Sequence, residues 1–189
     1  MELILIRHSE TAGNRERRFI GVTDEPITPE GAALARRRAA DLPSVEHVYR
    51  SGLIRCRETA DLLFPGVAQT TVAQLRETDF GPFEGKCHRE LEADPLYQSW
   101  LSGVSDAGTE PFEAAGQRAL EGLAVLCEDA RRRGFSRVAV VSHGGTLMAI
   151  LAAFGTPPRA YYDWKIPNCG GFRAAVREEP FALEILDTY

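Results

Sequence analysis

Two histidines in this chain have neighbours suited to phosphorus chemistry. His8 lies in Arg7-His8-Ser9-Glu10-Thr11 with Asn14 close behind, and His143 precedes Gly144-Gly145. A neutral imidazole is a competent nucleophile toward phosphorus when cations shield the phosphoryl oxygens. Arginine does this best, because its planar fork is permanently charged and bonds two oxygens at once. Arg7 supplies one fork, and Arg55, in Ser51-Gly52-Leu53-Ile54-Arg55, a second. His143 adds a third positive donor when protonated, and a helix opening at the glycines, from Gly144, gives amides that form an anion site. Thr11 and Asn14 offer neutral hydrogen bonds. A leaving alkoxide needs a proton, and Glu77 in Leu75-Arg76-Glu77 is the candidate donor, with Asp79 and Glu84 as rivals in the same loop. A carboxyl beside a phosphate anion should have its pKa raised, which suits a general acid.

The elements must bring these residues to one place. Leu3–Ile6 and Val138–Val141 are unbroken aliphatic runs that end at the two histidines. Such strands are usually buried in a parallel sheet, which places ligands outside its carboxyl ends. Further strands are expected near residues 45–51, 68–73, 170–177 and 181–186, the last two antiparallel. Helices are expected from Pro29 to about Leu42, with Thr28 as N-cap, and over 53–64, 112–133 and 146–154. Residues 76–110 read as a long irregular stretch, and such stretches are usually lids or binding segments. The alternation gives an α/β fold, a three-layer α/β/α sandwich with a mostly parallel sheet of about six strands. No linker or repeat divides the chain, so one domain over 1–189 is expected, with a lid or specificity segment at about 78–116.

The bulk properties fit a soluble protein: 44% hydrophobic, 26% charged, with a formal charge of −5. That balance speaks against nucleic acid, since backbone binding depends on a basic face. The opening apolar run is too short for a signal segment or a membrane span, so no membrane partner and a cytoplasmic location are expected. Cys56, Cys87, Cys127 and Cys169 form no CxxC pair and read as reduced, mostly buried thiols. No metal-ligand spacing accompanies the histidines, so neither metal nor cofactor is expected. Cys127 to Arg133 matches the Cys-x5-Arg spacing of cysteine phosphatases. Its intervening Glu128 and Asp129 would repel a phosphate, so the match reads as chance. His47 and His88 read as surface or packing residues, and Trp100 and Trp164 as packing.

In order and spacing these motifs resemble the histidine phosphatase superfamily, which includes the cofactor-dependent phosphoglycerate mutases. The resemblance rests on Arg7-His8…Thr11…Asn14, Gly21 with Asp24 to Thr28 and Gly31, Ser51…Arg55…Thr59-Ala60, Leu75-Arg76-Glu77…Gly81…Glu84-Gly85 and Ser142-His143-Gly144-Gly145. It covers nearly the whole chain. It implies that His8 becomes a transient phosphohistidine and that Arg7, Arg55 and His143 bind the phosphoryl group with Asn14 assisting. It also implies that Glu77 protonates the leaving group and then deprotonates water. The short chain resembles the phosphatase branch, and Leu91–Trp100 is similar to bacterial members assigned as α-ribazole phosphatases. The chain departs from the family at Ser9, where glycine is usual, at Gly13, and at Glu113–Gln117, where relatives show Gly-Glu-Ser.

The expected activity is therefore metal-independent hydrolysis of a small phosphate ester through a phosphohistidine, on α-ribazole phosphate or with broad specificity. A phosphoglycerate mutase is the enzymatic alternative, and a non-catalytic phospholigand-binding module is the alternative from another class. The oligomeric state stays open, a homodimer being the assembly considered.

Overall fold

A computed structural model describes residues 1–104 and 106–189. Its centre is a seven-stranded sheet in the order β3-β2-β4-β1-β6-β7-β5. The strands are β1 (Glu2–Arg7), β2 (His47–Arg50), β3 (Gln69–Thr71), β4 (Arg137–Ser142), β5 (Gly155–Thr156), β6 (Gly171–Glu178) and β7 (Phe181–Thr188). Neighbours β3, β2, β4 and β1 are parallel, β6 is antiparallel to both β1 and β7, and β5 is parallel to β7. The strand beyond the expected six is β5. Two residues ahead of Pro157-Pro158 carry no periodic signal.

Both aliphatic runs are buried on both faces, as the parallel reading requires. Leu3, Leu5, Val138 and Val140 point into one core and Ile4, Ile6, Ala139 and Val141 into the other. Helices α2 (Pro29–Arg38) and α3 (Ile54–Leu63) cover the second core, while α6 (Phe112–Arg132) and α7 (Gly144–Phe154) cover the first. Thr28 caps α2 by accepting from the Gly31 amide, with Pro29 at the first helical position. This helix ends at Arg38 and continues to Asp41 only as a 3-10 turn.

The stretch between β3 and α6 holds two short helices, α4 (His88–Leu91) and α5 (Pro95–Leu101), and α1 (Ala12–Arg15) follows β1. Phe83, Leu91, Tyr97 and Trp100 form a small third core there, packed against Phe19 and Phe80. The lid is thus held by its own aromatic cluster. Residues 113–116, counted in the lid as well as in the helix expected over 112–133, belong to α6. Cys127 also lies within α6, buried, with its thiol pushed up to about 11 by burial. A helical run has no amide nest, so the cysteine-phosphatase spacing is indeed fortuitous. His47 is buried, bonded to Thr70 and stacked on Phe135, and His88 is bonded to the Tyr97 hydroxyl.

Candidate active site

Parallel pairing brings the two histidines together. Arg7 pairs with Ser142 across β1 and β4, and the His8 amide donates to the Ser142 carbonyl at 2.8 Å. The rings of His8 and His143 then meet edge to face with centroids 5.2 Å apart. On its other side the His8 backbone is held by Cys169 and by the Asn168 amide, both donating to the His8 carbonyl.

The orientation of His8 decides its chemistry. Its Nδ1 lies 2.7 Å from the Ser9 carbonyl oxygen. A carbonyl can only accept, so Nδ1 carries the proton and Nε2 keeps the lone pair. Burial, then the charges of Arg55 and Arg7, holds the ring well below the usual histidine range. His8 is therefore neutral, with a fixed tautomer, and 4% exposed.

It borders a cavity of about 210 Å³ lined also by Arg7, Asn14, Glu77 and Gly144. The Arg7 Nη1 donates to the Ile166 carbonyl, while its buried Nε has no partner. Asn14 accepts at Oδ1 from the Thr11 amide and from Asn168, which leaves its Nδ2 as the free end. Gly144 opens α7 with His143 as N-cap, so the positive end of the helix faces the same space. Arg18 and Lys165, which the sequence reading passed over, stand at the rim.

Glu77 is separated from its rivals by its surroundings. Its carboxylate, 8% exposed, accepts from the Gly145 amide and from its neighbour Thr78 and borders the cavity. Glu84 instead accepts from the amides of Gly21, Val22, Thr23 and Phe80, and Asp79 from Gly81. Those two fix loops.

Three expected phosphate contacts are placed differently. Thr11 is fully buried and caps α1, accepting from the Asn14 amide; its hydroxyl is engaged within the turn. Arg55, also buried, directs its fork at the carbonyls of Gly21 and Thr23, and its Nε donates to His143 Nδ1 at 3.3 Å. His143 Nε2 meets the Ser51 hydroxyl at 2.8 Å. Both ring nitrogens of His143 are taken. Burial, then Arg55 and His8, holds it well below the usual histidine range, so His143 is neutral here and becomes a positive donor only on protonation. Arg55 and His143 form a buried layer behind the cavity and not its lining. Glu84 orders the 21–23 loop, the loop binds Arg55, and Arg55 orients His143.

Sequence reasoning missed one group entirely. Glu110 accepts from Arg76 and Arg118 through both oxygens and from the Asp79 amide. Arg118 also donates to the carbonyls of Gln74, Arg76 and Glu77. This clamp grips the backbone on both sides of Glu77. Despite its burial, the two arginines hold the Glu110 carboxyl down at about 2. The available signal was an acid just ahead of α6 followed eight residues later by an arginine on that helix, the two flanking the segment singled out for its departure.

Residues 3–187 match the model of the histidine phosphatase superfamily (branch 1). The chain belongs to that superfamily. A "Probable phosphoglycerate mutase GpmB" from Enterobacter sp. (strain 638) is 28% identical over 188 residues, covering 96% of this chain and 87% of the relative. Among solved structures, an α-ribazole phosphatase from Shigella flexneri superposes with TM-score 0.85 at 26% identity, covering 98% of this chain and 96% of that one. YhfR from Bacillus stearothermophilus gives TM-score 0.81 at 27% identity, covering 96% and 94%. The superfamily departures have local reasons here. Ser9 donates to the Gly31 carbonyl and its amide to Thr59, tying β1's end to α2 and α3. Gly13 faces Ile20 so closely that a Cβ would sit 2.4 Å from it.

Proposed function

We propose that this chain hydrolyses a small phosphate monoester in the cytoplasm through a phosphohistidine on His8, without a metal. The observation that carries the reading is the free Nε2 lone pair of a neutral His8 at the wall of a cavity that also holds Arg7 and Glu77. In the first half-reaction Nε2 attacks phosphorus, and the P–O bond to the leaving alcohol breaks. Arg7, the Asn14 Nδ2 and the opening amide of α7 hold the phosphoryl oxygens. Glu77, protonated in that complex, gives its proton to the departing oxygen. In the second half the Glu77 carboxylate takes a proton from water, the water oxygen bonds to phosphorus, and the P–N bond returns its electrons to His8. Arg55 acts through charge and through the position of His143. An approaching dianion raises the affinity of His143 for a proton.

The shape match to an α-ribazole phosphatase makes a ribazole phosphate one substrate to test. Relatives described as phosphoglycerate mutases favour a second reading, with Arg18 and Lys165 available for a substrate carboxylate. Rapid acid quench and base quench of enzyme mixed with labelled ester separate the readings. The first reading expects an acid-labile, base-stable phosphoenzyme, phosphate release that survives EDTA and is blocked by vanadate, and loss of both in His8→Ala. Interconversion of phosphoglycerates faster than phosphate release would favour the mutase. Tight ligand binding with no phosphoenzyme would leave only a binding module.

A further inference from the structure

A second cavity, of about 400 Å³, adjoins the catalytic one. The two share Gly145, and they use adjacent faces of α7: Gly144 and Met148 border the first, Ala149 and Ala152 the second. Glu77 borders the catalytic side and its neighbour Thr78 the other, so the proton donor stands beside the boundary between them. Tyr161 pins this partition by donating its hydroxyl to the Gly145 carbonyl. The leaving oxygen must lie near Glu77 to be protonated, so whatever that oxygen carries is directed toward the second cavity.

The lining of that cavity is uncharged and mostly apolar, its polar side chains being the hydroxyls of Thr78, Thr146, Tyr161 and Tyr162. Phe112 and Tyr162 stand at its mouth 56% and 76% exposed, large apolar surfaces that water solvates poorly. Gly116 lies in the body of α6, where glycine costs about 1 kcal/mol relative to alanine. It has no compensating packing duty, since a Cβ there would meet nothing within 4 Å. Its absent side chain keeps the wall open. A carboxylate or sugar phosphate would find no cation there, whereas an aromatic or branched apolar group would bury its surface.

We infer that the cavity between α6, α7 and Tyr161-Tyr162 binds an apolar, ring-sized leaving group, which makes the substrates phosphate esters of aromatic or bulky apolar alcohols. The inference rests on the phosphomonoesterase reading and assigns its leaving-group subsite. Gly116, Ala152 and Tyr162 are its specificity-determining residues.

The test compares 2-phenylethyl phosphate with ethyl phosphate, whose alcohols leave with similar ease, so chemistry cancels in the ratio. Burying the ring should raise kcat/KM by about ten- to hundredfold. Gly116→Leu and, from the opposite wall, Ala152→Leu should each bring that ratio toward unity; both place a strong helix former in a helix, so folding is favoured. Equal kcat/KM for the two esters in the unaltered protein, or plugs that leave a large ratio unchanged, would overturn the inference while hydrolysis itself stood. A preference for 3-phosphoglycerate over 2-phenylethyl phosphate would overturn it as well. Absence of any phosphoenzyme with both esters would instead defeat the hydrolytic reading, and the subsite would fall with it.

Discussion

At the scale of single residues, the arrangement depends on which atom each polar group leaves free. His8 offers an Nε2 lone pair because the Ser9 carbonyl accepts from its Nδ1, and Asn14 offers a donor because its oxygen is already occupied. Glu110 matters in the same way at one remove. It touches nothing in the cavity, yet it fixes Arg76 and Arg118, and they fix the backbone that presents Glu77. Glu110→Gln should therefore lower kcat by about ten- to hundredfold with little change in KM, since small misplacements of a catalytic group have that cost. A readout specific to the clamp is acid stability. The unfolded carboxyl titrates near 4.5 and the folded one at about 2, so its stabilisation is present above pH 4.5 and lost as pH falls toward 2. Glu110→Gln should flatten that part of the unfolding curve; a variant with unchanged kcat and an unchanged acid limb would refute the clamp. His8, Arg7 and Glu77 were legible because their order along the chain is distinctive. Thr11 was not, because a threonine three residues after a histidine can bond a ligand or cap a helix, and only the turn geometry separates these. Glu110 was illegible for a different reason: Arg76 and the Asp79 amide lie more than thirty residues away, and an acid eight residues before Arg118 is too common a spacing to report the contact.

At the scale of elements, two short joints govern the site. One is the β1–β4 pairing, which sets the histidines side by side. Its neighbour β6 approaches so closely that a Cβ at Gly171 would lie 1.9 Å from the Leu5 carbonyl oxygen. The other is the start of α7. Gly145 donates to Glu77, and a Cβ there would fall 2.6 Å from the Glu77 carboxylate. Gly145→Ala should thus displace the acid without unfolding the helix, for which alanine is the better residue. The expected result is a fall of about a hundredfold in kcat, largest for esters of poorly leaving alcohols and smallest for a nitrophenyl ester, which leaves without a proton. An equal loss for both kinds of ester would show that the carboxylate had not been the proton donor. The sequence placed both strands and the histidines at their ends correctly, because uninterrupted aliphatic runs have few other solutions. The helix expected over 146–154 begins two residues earlier, at Gly144, where the anion site was placed; two glycines read as a turn when the His143 cap is out of view.

At the scale of the molecule, the fold holds a set of positive and potentially positive groups together with a single carboxylate, Glu77, among the described residues that line their cavity. Arg7, Arg55, His8 and His143 share one buried region, with only Glu77 opposing, and beside them lie Ser51 and Cys56, whose thiol burial pushes up to about 12. The cost of charging either histidine falls on the folded state alone. An unfolded histidine takes up a proton near pH 6.5, whereas folded His8 and His143 do so only at lower pH. Stability is therefore full above pH 6.5 and declines as pH falls, by about 1.4 kcal/mol per pH unit for each group once the unfolded form is protonated. His47, also lowered, adds to the slope from outside the site. Chemical denaturation between pH 8 and 5 should show this decline, and the pair of substitutions His8→Asn and His143→Gln should remove the site's share while leaving that of His47. The same depression predicts that kcat/KM holds through pH 6.5, where an ordinary histidine nucleophile would already be half protonated. Vanadate tests the converse: by supplying the missing anion it should stabilise the protein most where the histidines are closest to charging. A denaturation slope indifferent to both substitutions would mean that the two rings are not the groups resisting protonation, and the neutral nucleophile on which the reaction depends would lose its basis.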